Sequence, residues 1–198
     1  MPNVDLEAEM DALELLTADH NRVRGLFARY KDAAEAKQTE KAAALVTEIF
    51  VELEVHTTIE EELFYPWAHD LADEIGATID EGIEEHHVVK VLMEEINELD
   101  AGSDTWTAKL KVLIENVEHH AGEEEDELFP PIRSHTKAPE RAKVGEQLDA
   151  KKGALGAPVL ADTIDLADER LRELASAQAI PGRSKMDHDE LAATVSPG

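Results

Sequence analysis

The feature that most constrains this chain is an apolar periodicity with alternating steps of three and four residues, which occurs in four separate stretches. Such steps align apolar side chains along one face of an α-helix, and this face forms the inward seam when long helices pack together. The pattern predicts helices over about residues 5–36, 39–65 and 77–100, and a fourth that ends near Leu128. Four long helices with short connections favour an all-α, up-and-down antiparallel four-helix bundle.

Proline and turn residues set the expected limits of these helices. Pro66 and the pair that begins at Pro130 are expected to end the second and fourth helices, because proline lacks the backbone donor that a helix requires. Gly76 is expected in the connection before the third helix. Ser103 or Asp104 can cap the start of the fourth.

The character of the sequence changes after the fourth helix. We expect a bundle domain over residues 5–135 and a C-terminal extension over residues 136–198. Within the extension, residues 139–152 predict a fifth helix and residues 159–177 form a further amphipathic stretch. The polar chain from about residue 182 is expected to be mobile. We interpret the extension as accessory helices outside the bundle, with a lid or a partner-docking element as the alternative.

Composition narrows the function classes. A formal net charge of -26 argues against nucleic acid and anionic membranes as partners, because both would repel such a surface. The absence of cysteine excludes disulfides, thiolate metal sites and cysteine nucleophiles. The N-terminal residues do not resemble a signal peptide, and no apolar run reaches the length of a membrane span, so a cytoplasmic location is expected. The sequence makes no prediction about oligomeric state.

Each predicted helix places one histidine on its apolar seam, and two helices add a glutamate one turn later. These residues are His20, His56, Glu60, His86, His120 and Glu124. A charged glutamate on an apolar seam is costly without a partner, so the pattern predicts a metal site. The alternative is a buried network of histidine–glutamate hydrogen bonds. Six nitrogen and oxygen donors exceed the needs of one tetrahedral zinc and suit two ions with bridging carboxylates, iron or manganese.

The second and fourth predicted helices contain the same sequence motif. His56 is followed by glutamates four and five residues later and by proline at ten, and the same spacing follows His120. With Asp19-His20 and Glu85-His86-His87, these motifs resemble the hemerythrin-like (HHE) cation-binding family, in order, over about residues 11–135.

The resemblance implies a hemerythrin-like bundle that holds two iron ions, bridged by carboxylates and by an oxo or hydroxo group. Carried over position by position, the implied ligands are His20, His56, Glu60, His86, His120 and Glu124. Zinc or manganese would fit the same ligands. Oxygen-carrying hemerythrins have a further histidine where this chain has Lys90. Water, a carboxylate such as Glu61 or Glu125, or Lys90 itself would have to fill that position, and lysine would first have to lose its proton.

The remaining singled-out residues have structural expectations. His87 and His119 lie about 100° around their helices from the seam and are expected in outer or surface positions. Tyr65 and Phe129 are expected to pack at the end of the bundle. Solvent exposure is expected for the histidines near helix ends and in the tail, namely His69, His135 and His188.

Three functions remain open from the sequence. The first, implied by the resemblance, is a di-iron protein that reversibly binds or senses oxygen, nitric oxide or a related small oxidant. The second is a di-iron enzyme that decomposes hydrogen peroxide or oxidises a small substrate, with Lys90 as a candidate proton donor. The third is iron storage or handling, in which the acidic surface gathers cations. It ranks last because the sequence shows no mineralisation-type channel.

Overall fold

The computed structural model describes residues 10–156, and every regular element within them is helical. The elements are α1 (Ala12–Glu35), α2 (Thr39–Ile59), a π-helical segment (Glu60–Phe64), α3 (Tyr65–Ala68), a 3-10 turn (His69–Leu71), α4 (Asp73–Asn97), α5 (Asp104–Glu123), a second π-helical segment (Glu124–Leu128), α6 (Phe129–His135) and α7 (Ala138–Ala154). No described helix is both long and apolar enough to cross a membrane.

Side-chain caps fix the start of two of the long helices. The Asp11 carboxylate accepts hydrogen bonds from the backbone N–H groups of Leu13 and Glu14, and the Glu14 carboxylate accepts one from the N–H of Asp11. This capping box starts α1 at Ala12, later than the apolar periodicity predicted. Ser103 accepts from the N–H of Trp106 and starts α5 at Asp104, as expected.

The helical path continues through the prolines that were expected to stop it. The expectation that the second helix ends at Pro66 and the fourth near Leu128 is wrong, because a π-helical segment precedes each proline. In these segments the N–H of Tyr65 bonds the carbonyl of Glu60, and that of Phe129 bonds the carbonyl of Glu124, five residues back. The prolines then occupy the first turn of α3 and α6, where a missing donor is tolerated.

The third long helix also differs from its expected limits. It spans Asp73–Asn97 rather than residues 77–100. Gly76 therefore lies in its first turn and not in the connection, and its N–H bonds the carbonyl of Ala72 at 3.0 Å.

Two apolar clusters fill the interior, one at each side of a polar layer that contains the four seam histidines. One cluster surrounds Phe27, Ile49 and Leu113, and the other surrounds Leu16 and Ile59. The α1–α2 pair, here called the first hairpin, and the α4–α5 pair, the second hairpin, hold the most extensive helix contacts. The chain runs from the Leu16 cluster toward the Phe27 cluster along α1 and α4, and in the opposite direction along α2 and α5.

A fifth helix is present where the sequence predicted one. It spans Ala138–Ala154 and packs on α1 and α2. The guanidinium of Arg141 donates to the Asp11 carboxylate at 2.7 Å, and Val144 and Leu148 add buried apolar contacts. The stretch at residues 159–177 and the tail from residue 182 lie outside the described residues.

Candidate metal centre

The structure brings all six seam residues together in the polar layer. They form two groups that could each hold an ion: His20, His56, Glu60 and Glu124 in one, and Glu60, His86 and His120 in the other. All six side chains are buried, and Glu60 belongs to both groups.

The first group gathers around the histidines of the first hairpin. The Nε2 atoms of His20 and His56 lie 3.2 Å apart. The Oε2 atom of Glu124 is 3.2 Å from Nε2 of His20, and the Oε2 atom of Glu60 is 3.2 Å from Nε2 of His56. Two nitrogens and two carboxylate oxygens therefore face one point.

The second group gathers around the histidines of the second hairpin. The Nε2 atoms of His86 and His120 lie 2.9 Å apart. The Oε2 atom of Glu60 is 3.3 Å from Nε2 of His86, and the Oε2 atom of Glu124 is 3.8 Å from Nε2 of His120. Each hairpin thus supplies a histidine pair, and both glutamates lie between the two pairs.

Buried oxygen atoms without hydrogen-bond partners show that these residues suit a cation. The Glu60 side chain is fully buried, and neither of its carboxylate oxygens accepts a hydrogen bond; Oε2 of Glu124 is also without one. Leaving such oxygens unpaired away from water is costly, and metal ions are partners that could satisfy them. A set of imidazole and carboxylate donors without sulfur suits iron, manganese or zinc.

A carboxylate stands behind each of the four histidines at its Nδ1 atom. Glu125 lies 2.8 Å from Nδ1 of His20, Glu61 3.0 Å from that of His86, and Glu85 2.8 Å from that of His120. Asp19 stands 3.6 Å from Nδ1 of His56. We call Asp19, Glu61, Glu85 and Glu125 the outer carboxylates. An Nδ1–H that donates to a carboxylate leaves the Nε2 lone pair for a metal, which is the usual arrangement at histidine sites.

The outer carboxylates correct one expectation about the coordination sphere. Glu61 and Glu125, suggested as additional ligands, instead accept from His86 and His20. Lys90 points to Glu61, whose two oxygens accept from its Nζ at 2.7 and 2.8 Å. The guanidinium of Arg24 donates to a single oxygen of Glu125, Oε1, at 2.8 Å. A cation thus backs each of these two carboxylates.

The pKa values of the buried carboxyl and imidazole groups in this layer shift in different directions. Burial raises the pKa of Glu60 well above its usual range, and repulsion from Glu124 adds to the effect. Burial would also raise the pKa of Glu124, but the attraction of His120 and His20 outweighs it and lowers that pKa. Burial lowers the pKa of His86 to about 2. The pKa of His20 rises to about 9, because Glu124 and Glu125 outweigh its burial.

Tyr65 and Gly82 have roles at the site that the sequence did not predict. Tyr65 is buried, as its packing role required, but its hydroxyl also donates to Oε1 of Glu124 at 3.0 Å and its ring stacks on His86. A Cβ atom added to Gly82 would lie 3.2 Å from the Tyr65 hydroxyl and 3.3 Å from Cε1 of His120. Gly82 therefore leaves room for both side chains.

The π-helical segments explain how Tyr65 reaches the layer. A π turn holds one residue more than an α turn, so the seam shifts after Glu60 and after Glu124. Phe64 and Tyr65 are buried, whereas Leu63, three residues after Glu60 and therefore on the apolar face of a continuous α-helix, is half-buried. Phe129 reaches the layer in the same manner and stacks parallel to the His20 ring.

A small cavity of about 20 Å³ adjoins the histidines on the side of the first apolar cluster. Its wall is mainly apolar and includes Val23, Phe27, Leu53, Val89 and Val117. Arg24 and Glu118, which form an ion pair at 3.1 Å and are partly exposed, also line it. This volume is enough for about one water molecule or a diatomic ligand.

The other histidines in the described part of the chain lie outside this layer. His87 and His119 are exposed, as expected, and His119 forms an ion pair with Glu123 at 3.3 Å. His69 and His135 are also exposed, whereas His188 lies outside the described residues.

Comparison with known proteins identifies the family. Residues 11–132 match the family model described as the hemerythrin HHE cation binding domain. The chain belongs to the HHE family. The HHE match contains all six seam residues and ends before α7.

One curated relative of this HHE protein is described as a DNA nickase of Nostoc sp. (strain PCC 7120 / SAG 25.82 / UTEX 2576). It is 24% identical over 147 residues, which are 74% of this chain and 40% of the relative. The chain therefore spans well under half the length of that protein. No solved structure matches this chain.

Proposed function

We propose that this HHE protein holds two iron ions and binds or senses oxygen, nitric oxide or a related small oxidant. The observation that carries the proposal is the position of Glu60. It is fully buried between two histidine pairs, and both of its carboxylate oxygens are without hydrogen-bond partners. Its Oε2 atom lies 3.2 Å from Nε2 of His56 and 3.3 Å from Nε2 of His86, so a cation held by either pair would give this carboxylate a charged partner.

The proposed ligands divide by hairpin. His20 and His56, with Glu60 and Glu124, would hold one ion, and His86 and His120, with Glu60, would hold the other. Iron in such a nitrogen and oxygen site supplies reversible ligand binding and one-electron redox chemistry. The protein's own residues orient the imidazoles through the outer carboxylates and keep the layer dry through the two apolar clusters.

The cavity beside the histidines supports a small ligand. Its mainly apolar wall and its volume of about 20 Å³ fit a diatomic molecule better than an organic substrate. The partly exposed Arg24–Glu118 pair is the proposed point of entry.

The proposal includes an arrangement and a setting for this site. Because successive long helices pass the histidine layer in alternating order, we propose an up-and-down antiparallel bundle over residues 5–135, with residues 136–198 as an extension. We propose a cytoplasmic protein without a nucleic-acid partner. The net charge of -26 opposes DNA binding, so the activity named for the Nostoc relative is not transferred to this chain.

Metal analysis of the purified protein, combined with visible spectra before and after reduction and after return to air, tests this proposal. We expect about two irons per chain and absorption that bleaches on reduction and recovers in air. His86→Ala should lower the iron content, whereas the matched control His87→Ala changes an exposed neighbour and should leave it unchanged. A metal-free protein, manganese in place of iron, or a single zinc that iron does not displace would contradict the di-iron assignment.

A second candidate function is decomposition of hydrogen peroxide, and Tyr65 is the observation that favours it. Its buried hydroxyl lies 3.0 Å from Glu124 and provides a proton donor next to the proposed ions. Peroxide turnover by the iron-loaded protein that falls at least tenfold in Tyr65→Phe, with two irons retained, would favour the enzyme. An adduct with oxygen or nitric oxide that forms and dissociates without turnover would favour the carrier or sensor.

A further inference from the structure

The last described helix contributes a charge to the metal centre although it lies outside the family match. The match ends at residue 132, and α7 spans Ala138–Ala154. Near the end of α7, the Lys152 side chain enters the interior and is buried. Its ammonium group forms an ion pair with the buried Asp19 carboxylate of α1.

Asp19 is the outer carboxylate of His56, and it stands apart from the other three. Glu61, Glu85 and Glu125 approach the Nδ1 atoms of their histidines to between 2.8 and 3.0 Å. Asp19 remains 3.6 Å from Nδ1 of His56, while its other oxygen binds Lys152. The Nδ1 atom of His56 has no hydrogen-bond partner.

Lys152 is the third basic side chain that pairs with an outer carboxylate, and it is the least exposed of the three. The side chains of Arg24 and Lys90, behind Glu125 and Glu61, are 30% and 35% exposed, whereas that of Lys152 is 2% exposed. A buried charge is screened less by water and salt, so Lys152 should act more strongly on the metal centre.

Docking of α7 does not by itself account for this lysine. The helix is already attached to α1 through the Arg141–Asp11 pair and through Val144 and Leu148. Burying an ammonium group costs free energy even when it is paired, and an apolar residue at the same position would often stabilise the protein as well.

We propose that α7 is a functional part of the metal centre, in which Lys152 is a positioning residue that holds Asp19 away from His56. This inference rests on the proposed di-iron function and adds to it a determinant outside the family match. By this arrangement Lys152 weakens the pull of Asp19 on the His56 imidazole and places a positive charge near the His20–His56 ion. Both effects disfavour the oxidised, more positively charged ion, so Lys152 raises the reduction potential.

The test compares two glutamine variants of α7 cations in the iron-loaded, full-length protein. Lys152→Gln removes the charge but keeps a donor for Asp19. The control, Arg141→Gln, removes the other α7 cation that pairs with an α1 carboxylate, at the Asp11 end of the interface. We expect a lower midpoint potential in Lys152→Gln and an unchanged potential in Arg141→Gln. Lys152→Met serves the same purpose if the glutamine variant does not fold.

Asp19→Asn shows whether the effect passes through Asp19. It should weaken metal binding, measured by competition with a chromophoric chelator, by roughly 10- to 100-fold, as loss of an outer partner does at other histidine sites. Adding Lys152→Gln to Asp19→Asn should change the potential less than Lys152→Gln does alone. Two irons per chain with an unchanged potential in Lys152→Gln would overturn the inference and leave the di-iron proposal standing. A native protein that binds no pair of ions would overturn both.

Discussion

Glu60 lowers the stability of the metal-free protein, whereas its neighbours in the sequence do not. Both of its carboxylate oxygens are buried without hydrogen-bond partners, and burial raises its pKa well above the usual range. Metal binding removes this cost. The metal therefore binds more tightly than it would to a site that is stable when empty.

Replacing Glu60 should therefore separate stability from metal binding. We expect Glu60→Gln to raise the free energy of unfolding of the metal-free protein at pH 7 by about 1–3 kcal/mol, measured by urea denaturation with a chelator present. Because the folded pKa of Glu60 lies above its unfolded value, its cost begins above about pH 4.5 and grows as the pH rises, so the difference should widen from pH 5 to 8. The same variant should bind metal more weakly.

The matched control is Glu62→Gln, which changes an exposed glutamate of the same segment that pairs with Lys151. We expect little change in either quantity there. Equal stability of Glu60→Gln and the native protein would mean that another group already satisfies the Glu60 oxygens.

Gly82 supports a second prediction at the scale of one residue. Gly82→Ala should press its methyl group against the Tyr65 hydroxyl and the His120 ring, and overpacking of this kind costs about 1–3 kcal/mol. The control is Gly25→Ala in α1, where a Cβ atom would meet nothing within 4 Å and should stabilise by about 0.4–1 kcal/mol. Thermal unfolding of both variants checks the opposite signs. Stabilisation of Gly82→Ala would show that the layer has room to spare.

At the scale of elements, the sequence predicted which faces meet but not how the helices change register. The six seam residues follow from helical periodicity, since positions three and four apart lie on one face. The expected stops at Pro66 and near Leu128 failed because the proline rule assumes α-helical hydrogen bonds, and a π segment shifts them. The π segments leave no signal in an apolar pattern of period 3.6.

The apolar pattern did not predict the outer carboxylates, for a different reason. Each of the four outer carboxylates adjoins a seam residue, but in a sequence this acidic an adjacent carboxylate is common and carries little information. All four face a histidine of another helix, and Lys152 is 133 residues from Asp19. Such pairs depend on how the helices pack, which a single helix pattern does not contain.

The first π segment itself supports a prediction. Deleting the exposed Glu62 should convert the segment toward an α-helix and rotate Tyr65 by about 100° relative to α2. We expect helical content by circular dichroism to persist while metal content falls below two ions per chain. Glu62→Ala keeps the chain length and should retain both ions. Full metal content in the deletion variant would show that the extra residue is not needed.

At the scale of the whole molecule, acidity opposes folding. A formal net charge of -26 on 198 residues creates self-repulsion that salt screens, with a Debye length that falls from about 30 Å at 0.01 M to about 3 Å at 1 M. We expect the melting temperature of the metal-free protein to rise over this range. Sodium chloride and choline chloride should act equally, because the effect is non-specific. A fall in melting temperature would show that the ion pairs outweigh the repulsion.

The glutamate that follows each hairpin contacts a histidine of the other hairpin. Glu60 of the segment after the first hairpin reaches His86 of the second, and Glu124 after the second reaches His20 of the first. Neither half contains all the residues of either candidate site, so bound ions would link the two halves. We therefore expect metal to leave the protein on the timescale on which the halves separate, with the steep temperature dependence of unfolding rather than that of a moving loop.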